Sequence, residues 1–339
     1  MPRFIHVPTA DLARTASAAV TVEAEYGSLV MEGSVYTAAH HQASGPYAGR
    51  HLPGLLEVGM PSPCNDSNIP LVGEDDVVAV SHLDLDSIGG CARTIADFAP
   101  LFDARFGGFW NLAEHIDVTG AHRLEPDHVW APSLRAFWAW LQANRPRYSR
   151  EEVVDCTDFM LTAAQVLVSI LVEQDADLLA AGQAMADAEA ELNEESLVRV
   201  VEAGDRLVAV RLAGQFVNHL YRLPDGRVAA AVVAQNTTMN SVTVSLADSI
   251  EGVSCREIVQ SVWTVVTAAD PESGEALGTF TSPEEAEAAH PGCSWAYSAG
   301  GHAGIAGSPR GQEMTDDDHA SCVTATVNTL TDQPWSLSR

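Results

Sequence analysis

The chain has 339 residues, 46% of them apolar, which is long for one domain, comfortable for two, and enough to bury a sizeable core. It carries 46 acidic against 18 basic residues, a formal charge of −28, and such a surface repels phosphate backbones, so a long nucleic acid is not an expected partner. All 18 basic residues are arginine, which excludes P-loop lysine, kinase lysine and Schiff-base mechanisms.

In chain order, residues 17–40 read as β structure, with Val20, Val22 and Ala24 alternating with polar neighbours. Residues 42–74 are rich in Gly, Pro, Ser and Asn and read as a long functional loop. Val77, Val78, Ala79 and Val80 form a short continuous apolar run, the pattern of a buried parallel strand. A helix is predicted after it, with Ile88, Cys91, Ile95 and Phe98 on one face. Trp130, Leu134, Phe137, Trp138 and Leu141 predict another. Ser149 and Glu152 have capping-box spacing before a long helical stretch that runs to about residue 192.

Strands are predicted at 197–201, 207–212, 216–222, 228–234 and 242–246, with Pro224, Asp225 and Gly226 as a hairpin turn. A helix near 254–263, a short capped helix from Ser282 and a last strand near 294–298 complete the pattern. The expected fold class is α/β: an N-terminal domain with a parallel sheet and flanking helices over 1–150, a helical linker over 151–195, and a smaller C-terminal mixed β-sheet domain over 196–339. The first would bind metal and the last substrate. Late apolar strands offer a pairing surface for a homo-oligomer.

Cys64, Cys91, Cys156, Cys255, Cys293 and Cys322 are scattered without a Cys-x-x-Cys pair, so neither a zinc knuckle nor a disulfide framework is indicated. The first residues have no signal-like run. The longest apolar stretch, 159–172, is interrupted by Thr162, Gln165 and Ser169 and is too short to span a bilayer. The expected location is the cytoplasm, away from membranes.

Four groups carry chemistry. His82, Asp84 and Asp86 follow the buried strand and share one face if the chain stays extended, at the sheet edge where open α/β folds place ligands. Imidazole with carboxylates suits Mn²⁺, Zn²⁺ or Fe²⁺, and Gly89 and Gly90 would let a ligand approach the next helix. Asp86 capping that helix is the structural alternative. His115 and Asp117 would complete a metal shell, with His122 nearby in sequence, and His40 and His41 close a predicted strand. Cys64 is read as a bystander and Asn65 as a substrate contact. Gly300, Gly301 and His302 open a glycine-rich loop ending near Arg310. Its backbone N–H groups and guanidinium would clamp an anion.

The run from His82 to Gly90 resembles the first motif of the DHH phosphoesterase superfamily, in which a strand ends in Asp-x-Asp before a helix. The Gly300-Gly301-His302 loop looks like the Gly-Gly-His loop of that superfamily's second domain, and the two-domain layout is similar. The name-giving Asp-His-His run is degenerate: Ala39 precedes His40 and His41, and this run lies before the Asp-x-Asp motif. The resemblance implies a Mn²⁺-type centre and water-driven hydrolysis of a phosphoester.

The expected function is therefore metal-dependent hydrolysis of a small anionic substrate. His82, Asp84 and Asp86 would be ligands, with His40, His41, His115 and Asp117 as further ones. His122 or His302 would move protons, and Gly300, Gly301, His302, Arg310 and Asn65 would bind substrate. Cleavage of an amide or other carbon-centred bond, and a non-catalytic small-molecule binding protein, are the alternatives.

Overall fold

The computed structural model describes residues 1–24, 26, 29–39, 50–52, 62–247, 253–262, 266–269, 276–280, 285, 288–289, 295–300, 303–308 and 313–331. The chain divides into two compact units, residues 1–118 with 124–187, and residues 119–123 with 188–339. The fold is α/β with two mixed sheets.

The first unit is built on strands β1 (Arg3–His6), β2 (Val20–Val22), β3 (Tyr36–Ala39), β4 (Arg50–Leu52), β5 (Val77–Val80) and β6 (Val154–Asp155), in the order β4-β3-β2-β5-β1-β6. The inner four run parallel, and β4 and β6 are antiparallel edges. The apolar run of β5 needs cover on both sides, and it has it. Val78 and Val80 face a core shared with Phe4, Val20, Val22 and Ile88, whereas Ala79 faces Ile5, Val7 and Tyr26.

The helices of this unit are α1 (Ala10–Ala13), α2 (Leu85–Arg93), α3 (Gly107–Thr119), α4 (Ala131–Asn144), α5 (Thr157–Val168) and the first part of α6 (Ala176–Ser196). Helix α5 packs on α2 and on β1 and contributes Met160, Ala163, Ala164 and Leu167 to the core. Thus residues 151–187, read from sequence as part of a linker, lie within the first unit. The capping box expected at Ser149 and Glu152 does not start a helix. Ser149 Oγ accepts from the Glu151 N–H at 3.1 Å, the chain enters β6, and α5 begins at Thr157. Pairing of β6 with β1 draws this segment into an extended form before the helix can start. No single helix among the described residues is long and apolar enough to cross a membrane.

The second unit carries β7 (Leu197–Ala203), β8 (Arg206–Ala213), β9 (Ala231–Asn236), β10 (Ser241–Leu246), β13 (Ala296–Gly300) and β14 (Ala303–Gly307), ordered β13-β14-β10-β9-β8-β7. A separate pair joins β11 (Val266–Ala269) to β12 (Ala276–Phe280). Helices α7 (Cys255–Val262) and α8 (Asp316–Thr331) share one core with this sheet.

The strand expected at 216–222 is reduced to a single antiparallel bridge, Arg222 with Val228, and β8 and β9 run parallel. A parallel connection needs a crossover, and residues 214–230 supply it. Val217, Leu220, Tyr221 and Leu223 fold over the outer face of the sheet against Ala209 and Val232. The turn at Pro224–Gly226 does form, with Gly226 at φ +88° and Leu223 N–H bonded to the Arg227 carbonyl at 2.7 Å, but it lies inside that crossover.

Candidate functional site

His6, Val80 and Val22 occupy one row across β1, β5 and β2 at the carboxyl ends of these parallel strands. The next residues along β2 and β5 are Glu23 and Ser81. Glu23 is 1% exposed and adopts φ +52°, unusual for a residue with a Cβ, at the point where the chain leaves the sheet. Ser81 Oγ donates to the Glu23 carbonyl and ties the two strand ends together.

The extended face expected for His82, Asp84 and Asp86 ends earlier than the sequence suggests. Strand β5 stops at Val80, Asp84 is the N-cap of α2, and Asp86 lies in its first turn. Capping falls to Asp84, not Asp86. Asp84 Oδ1 accepts from the Ser87 N–H at 3.1 Å and from Ser87 Oγ, while the Asp84 N–H donates to Ser87 Oγ at 3.2 Å. This reciprocal box is worth about 1 kcal/mol to the helix start. Leu83 and Leu85 enter the core as expected.

The other oxygen, Asp84 Oδ2, lies 2.8 Å from His82 Nε2, and Glu23 Oε2 lies 3.8 Å from the same nitrogen. His82 Nδ1 is 2.9 Å from Ser81 Oγ. The ring thus spans Ser81 Oγ on one side and the Asp84 carboxylate on the other. Burial alone would raise the Asp84 carboxyl, but the His82 charge and hydrogen bond outweigh it and hold the carboxyl well below the usual range.

Asp86 is 2% exposed and accepts from Ser62 Oγ at 3.2 Å. Burial, then the charges of Asp84, Glu23 and Asp117, push its carboxyl well above the usual range. Glu23 and Asp117 thus join the cluster. The Asp117 expectation had a signal in the sequence. Glu23 had none, because an acid after a short strand reads as an ordinary turn residue.

Asp117 and Glu114 lie on α3. Glu114 accepts from the Ser62 N–H at 2.9 Å and from Asn65 Nδ2 at 2.6 Å, which anchors the 62–65 turn. Asn65 Nδ2 also donates to Asn111 Oδ1 at 3.2 Å, so its amide serves this anchor. Cys64 is fully buried in the turn, and burial pushes its thiol up, so it stays neutral. Gly89 and Gly90 do not face an open approach. A Cβ on Gly89 would meet Cys64 at 2.7 Å and Trp110 at 2.8 Å, and one on Gly90 would meet Pro63 at 2.6 Å and Val22 at 2.7 Å. Their absent side chains seat the 62–65 turn and α3 on α2.

His115 is exposed on α3. His122 belongs to the second unit, where it is buried and its ring meets Tyr221 edge-on at 5.0 Å. Gly300 ends β13. His40, His41, Gly301, His302 and Arg310 lie outside the described residues.

Among the described residues no three His, Cys, Asp or Glu side chains stand as a ready metal-ligand group. The donor types nonetheless suit a divalent cation: one imidazole and several carboxylates lie near the β2–β5 edge, and burial together with its neighbours' charges pushes the Asp86 carboxyl well above its usual range. Ligation would require the His82–Asp84 hydrogen bond to open. A cavity of about 860 Å³ is lined by His82, Ser81 and His6 on one side. Its other wall comes from α4 and the loop after it, which carries Arg145, Arg147 and Arg150. The sequence reading did not single these arginines out.

No protein-family model, no curated protein and no solved structure matches this chain.

Proposed function

We propose that the protein is a metal-dependent hydrolase of a small anionic substrate, with phosphoester cleavage the favoured chemistry. The observation that carries this reading is the crowding at the β2–β5 edge, where buried Asp86 shares its surroundings with Asp84, Glu23 and Asp117. Like charges gathered in a buried site are costly unless a cation or a proton relieves them. Structural requirements do not explain the grouping, since Asp84 alone caps the helix.

His82, Asp84 and Asp86 would hold the metal, with Glu23 and Asp117 beside them. Such an ion lowers the pKa of bound water and polarises the scissile group. The protein's own contribution is to fix these donors. Ser87 orients Asp84, Ser81 orients His82, and Ser62 orients Asp86. Buried Val22, Val80 and Leu83 exclude water from beneath the site.

Metal content and Mn²⁺ uptake of the untagged protein test this reading, beside Asp86→Asn. Hydrolysis of bis-p-nitrophenyl phosphate and p-nitrophenyl phosphate is assayed with the loaded protein. Uptake near one equivalent that the variant loses, with turnover of either ester, is the expected result. A parent protein that takes up neither Mn²⁺ nor Zn²⁺ sinks the reading. Metal uptake without phosphoester turnover leaves a metal site and moves the chemistry to a carbon-centred bond.

A further inference from the structure

We propose that the cavity beside His82 is a subsite for a small organic phosphate, whose phosphoryl group is held by Arg145, Arg147 and Arg150. This chain has only 18 cations against 46 acids, yet three of the cations fall within six residues and line one cavity. None of the three is within ion-pair distance of a described carboxylate, although Glu151 and Glu152 follow directly in sequence. Three like charges without a counter-charge repel each other, and a dianion in their midst turns that repulsion into attraction. Arginine suits the task, because its fork of N–H donors matches phosphate oxygens in pairs.

His6 lines the same cavity. It is 9% exposed, and burial lowers the pKa of its ring, which favours the neutral imidazole. The arginine loop is held in place. The Arg145 N–H closes α4 on the Leu141 carbonyl at 2.7 Å, and Tyr148 lies against His6 with ring centroids 5.6 Å apart. Trp138, Leu141 and Tyr148 give the cavity an apolar wall, which favours a phosphate carrying an organic group over the bare ion. The volume falls within the range of about 300–1,000 Å³ typical of small-molecule sites. The acidic surface elsewhere repels the same ligand and leaves this mouth as its point of entry. That the bound molecule is the one hydrolysed rests on the hydrolase reading; the binding does not.

Calorimetric titration of the full chain in EDTA tests the subsite, with AMP, ribose 5-phosphate and inorganic phosphate as probes and adenosine as the uncharged control. The variants are Arg147→Gln and the triple Arg145→Gln, Arg147→Gln, Arg150→Gln. All three side chains are exposed, so the variants retain the parent's circular dichroism and melting temperature. The organic phosphates bind, adenosine does not, and the triple change weakens binding by at least about tenfold. Absence of binding by every phosphate up to ~10 mM, or an affinity in the triple variant within about twofold of the parent, overturns the subsite. Mn²⁺ uptake by the same proteins separates the two readings. Uptake and turnover without arginine-dependent phosphate binding remove the subsite and leave the hydrolase. Phosphate binding in a protein that takes no metal does the reverse.

Discussion

Asp84 meets His82 through one carboxylate oxygen and the first turn of α2 through the other: Oδ2 lies 2.8 Å from His82 Nε2, while Oδ1 accepts from the Ser87 N–H at 3.1 Å. One side chain therefore couples the helix start to the imidazole at the sheet edge. A change at His82 will be felt as stability as well as chemistry, and the two effects separate by pH.

The Asp84 carboxyl is held below its unfolded value, because the His82 charge outweighs the opposing effect of burial. A depressed carboxyl adds stability that is present above the unfolded value of about 3.9 and is lost as pH falls below it. His82→Gln removes that contribution. The variant is expected to unfold at lower urea than the parent at pH 5, by about 1–2 kcal/mol, and the gap should narrow below about pH 4. A gap that stays constant down to pH 3 would mean that the pair does not set the shift.

Asp86 has the opposite sign. Burial and three neighbouring acids raise its carboxyl, so the folded state holds a proton that the unfolded chain releases. Stability is lost as pH rises from the unfolded value through the raised folded one. Asp86→Asn keeps the shape and the contact with Ser62 but cannot ionise. In metal-free protein it is expected to melt higher than the parent at pH 8, with little difference at pH 4. A lower melting temperature at pH 8 would show that the neighbours do not crowd this carboxyl.

Metal uptake should release protons, because burial and neighbouring acids push the Asp86 carboxyl well above its usual range and an ion would bind its deprotonated form. Mn²⁺ titrations at pH 7 in buffers of different ionisation enthalpy measure the release directly. About one proton per ion is expected. A binding heat independent of the buffer would mean that the ion uses other ligands.

Gly90→Ala improves intrinsic helix propensity by up to ~1 kcal/mol. Here that gain is outweighed, since the new Cβ would stand 2.6 Å from Pro63 and 2.7 Å from Val22, and neither neighbour is the end of a flexible side chain. A net loss of roughly 1–3 kcal/mol in urea unfolding is expected. A stabilised variant would show that the 62–65 turn yields freely.

Arg211 is fully buried in the second unit. It donates to the Asn193 carbonyl at 2.8 Å, Ser196 Oγ at 2.9 Å, the Leu220 carbonyl at 3.1 Å and Asn193 Oδ1 at 2.5 Å. It pins the end of α6 and the 216–222 crossover to β8. Arg211→Ala leaves these acceptors unmatched around a void, and a loss of about 3–5 kcal/mol in urea unfolding is expected. An effect under ~1 kcal/mol would mean that water replaces the guanidinium without strain.

Local pattern alone determined a good part of this molecule. The apolar run 77–80 marked a strand buried on both faces, because such a run cannot be left half in water. Helical spacing from Trp130 to Leu141 marked α4, and the residues after the apolar run marked the start of α2. These features depend only on neighbours a few residues apart. Tertiary structure decided what lies far apart in sequence. The register of β2 on β5 brings Glu23 to His82, and α3 brings Asp117 towards Asp86. A crossover through residues 214–230 makes β8 and β9 parallel. The close approach of Pro63 and Cys64, not a ligand, accounts for the paired glycines. The cavity joins His6 to arginines about 140 residues later, a meeting set by strand pairing of β1 with β6. Periodicity records which side of an element is buried, whereas the convergence of charges is set by register and loop closure, which no short window of sequence contains.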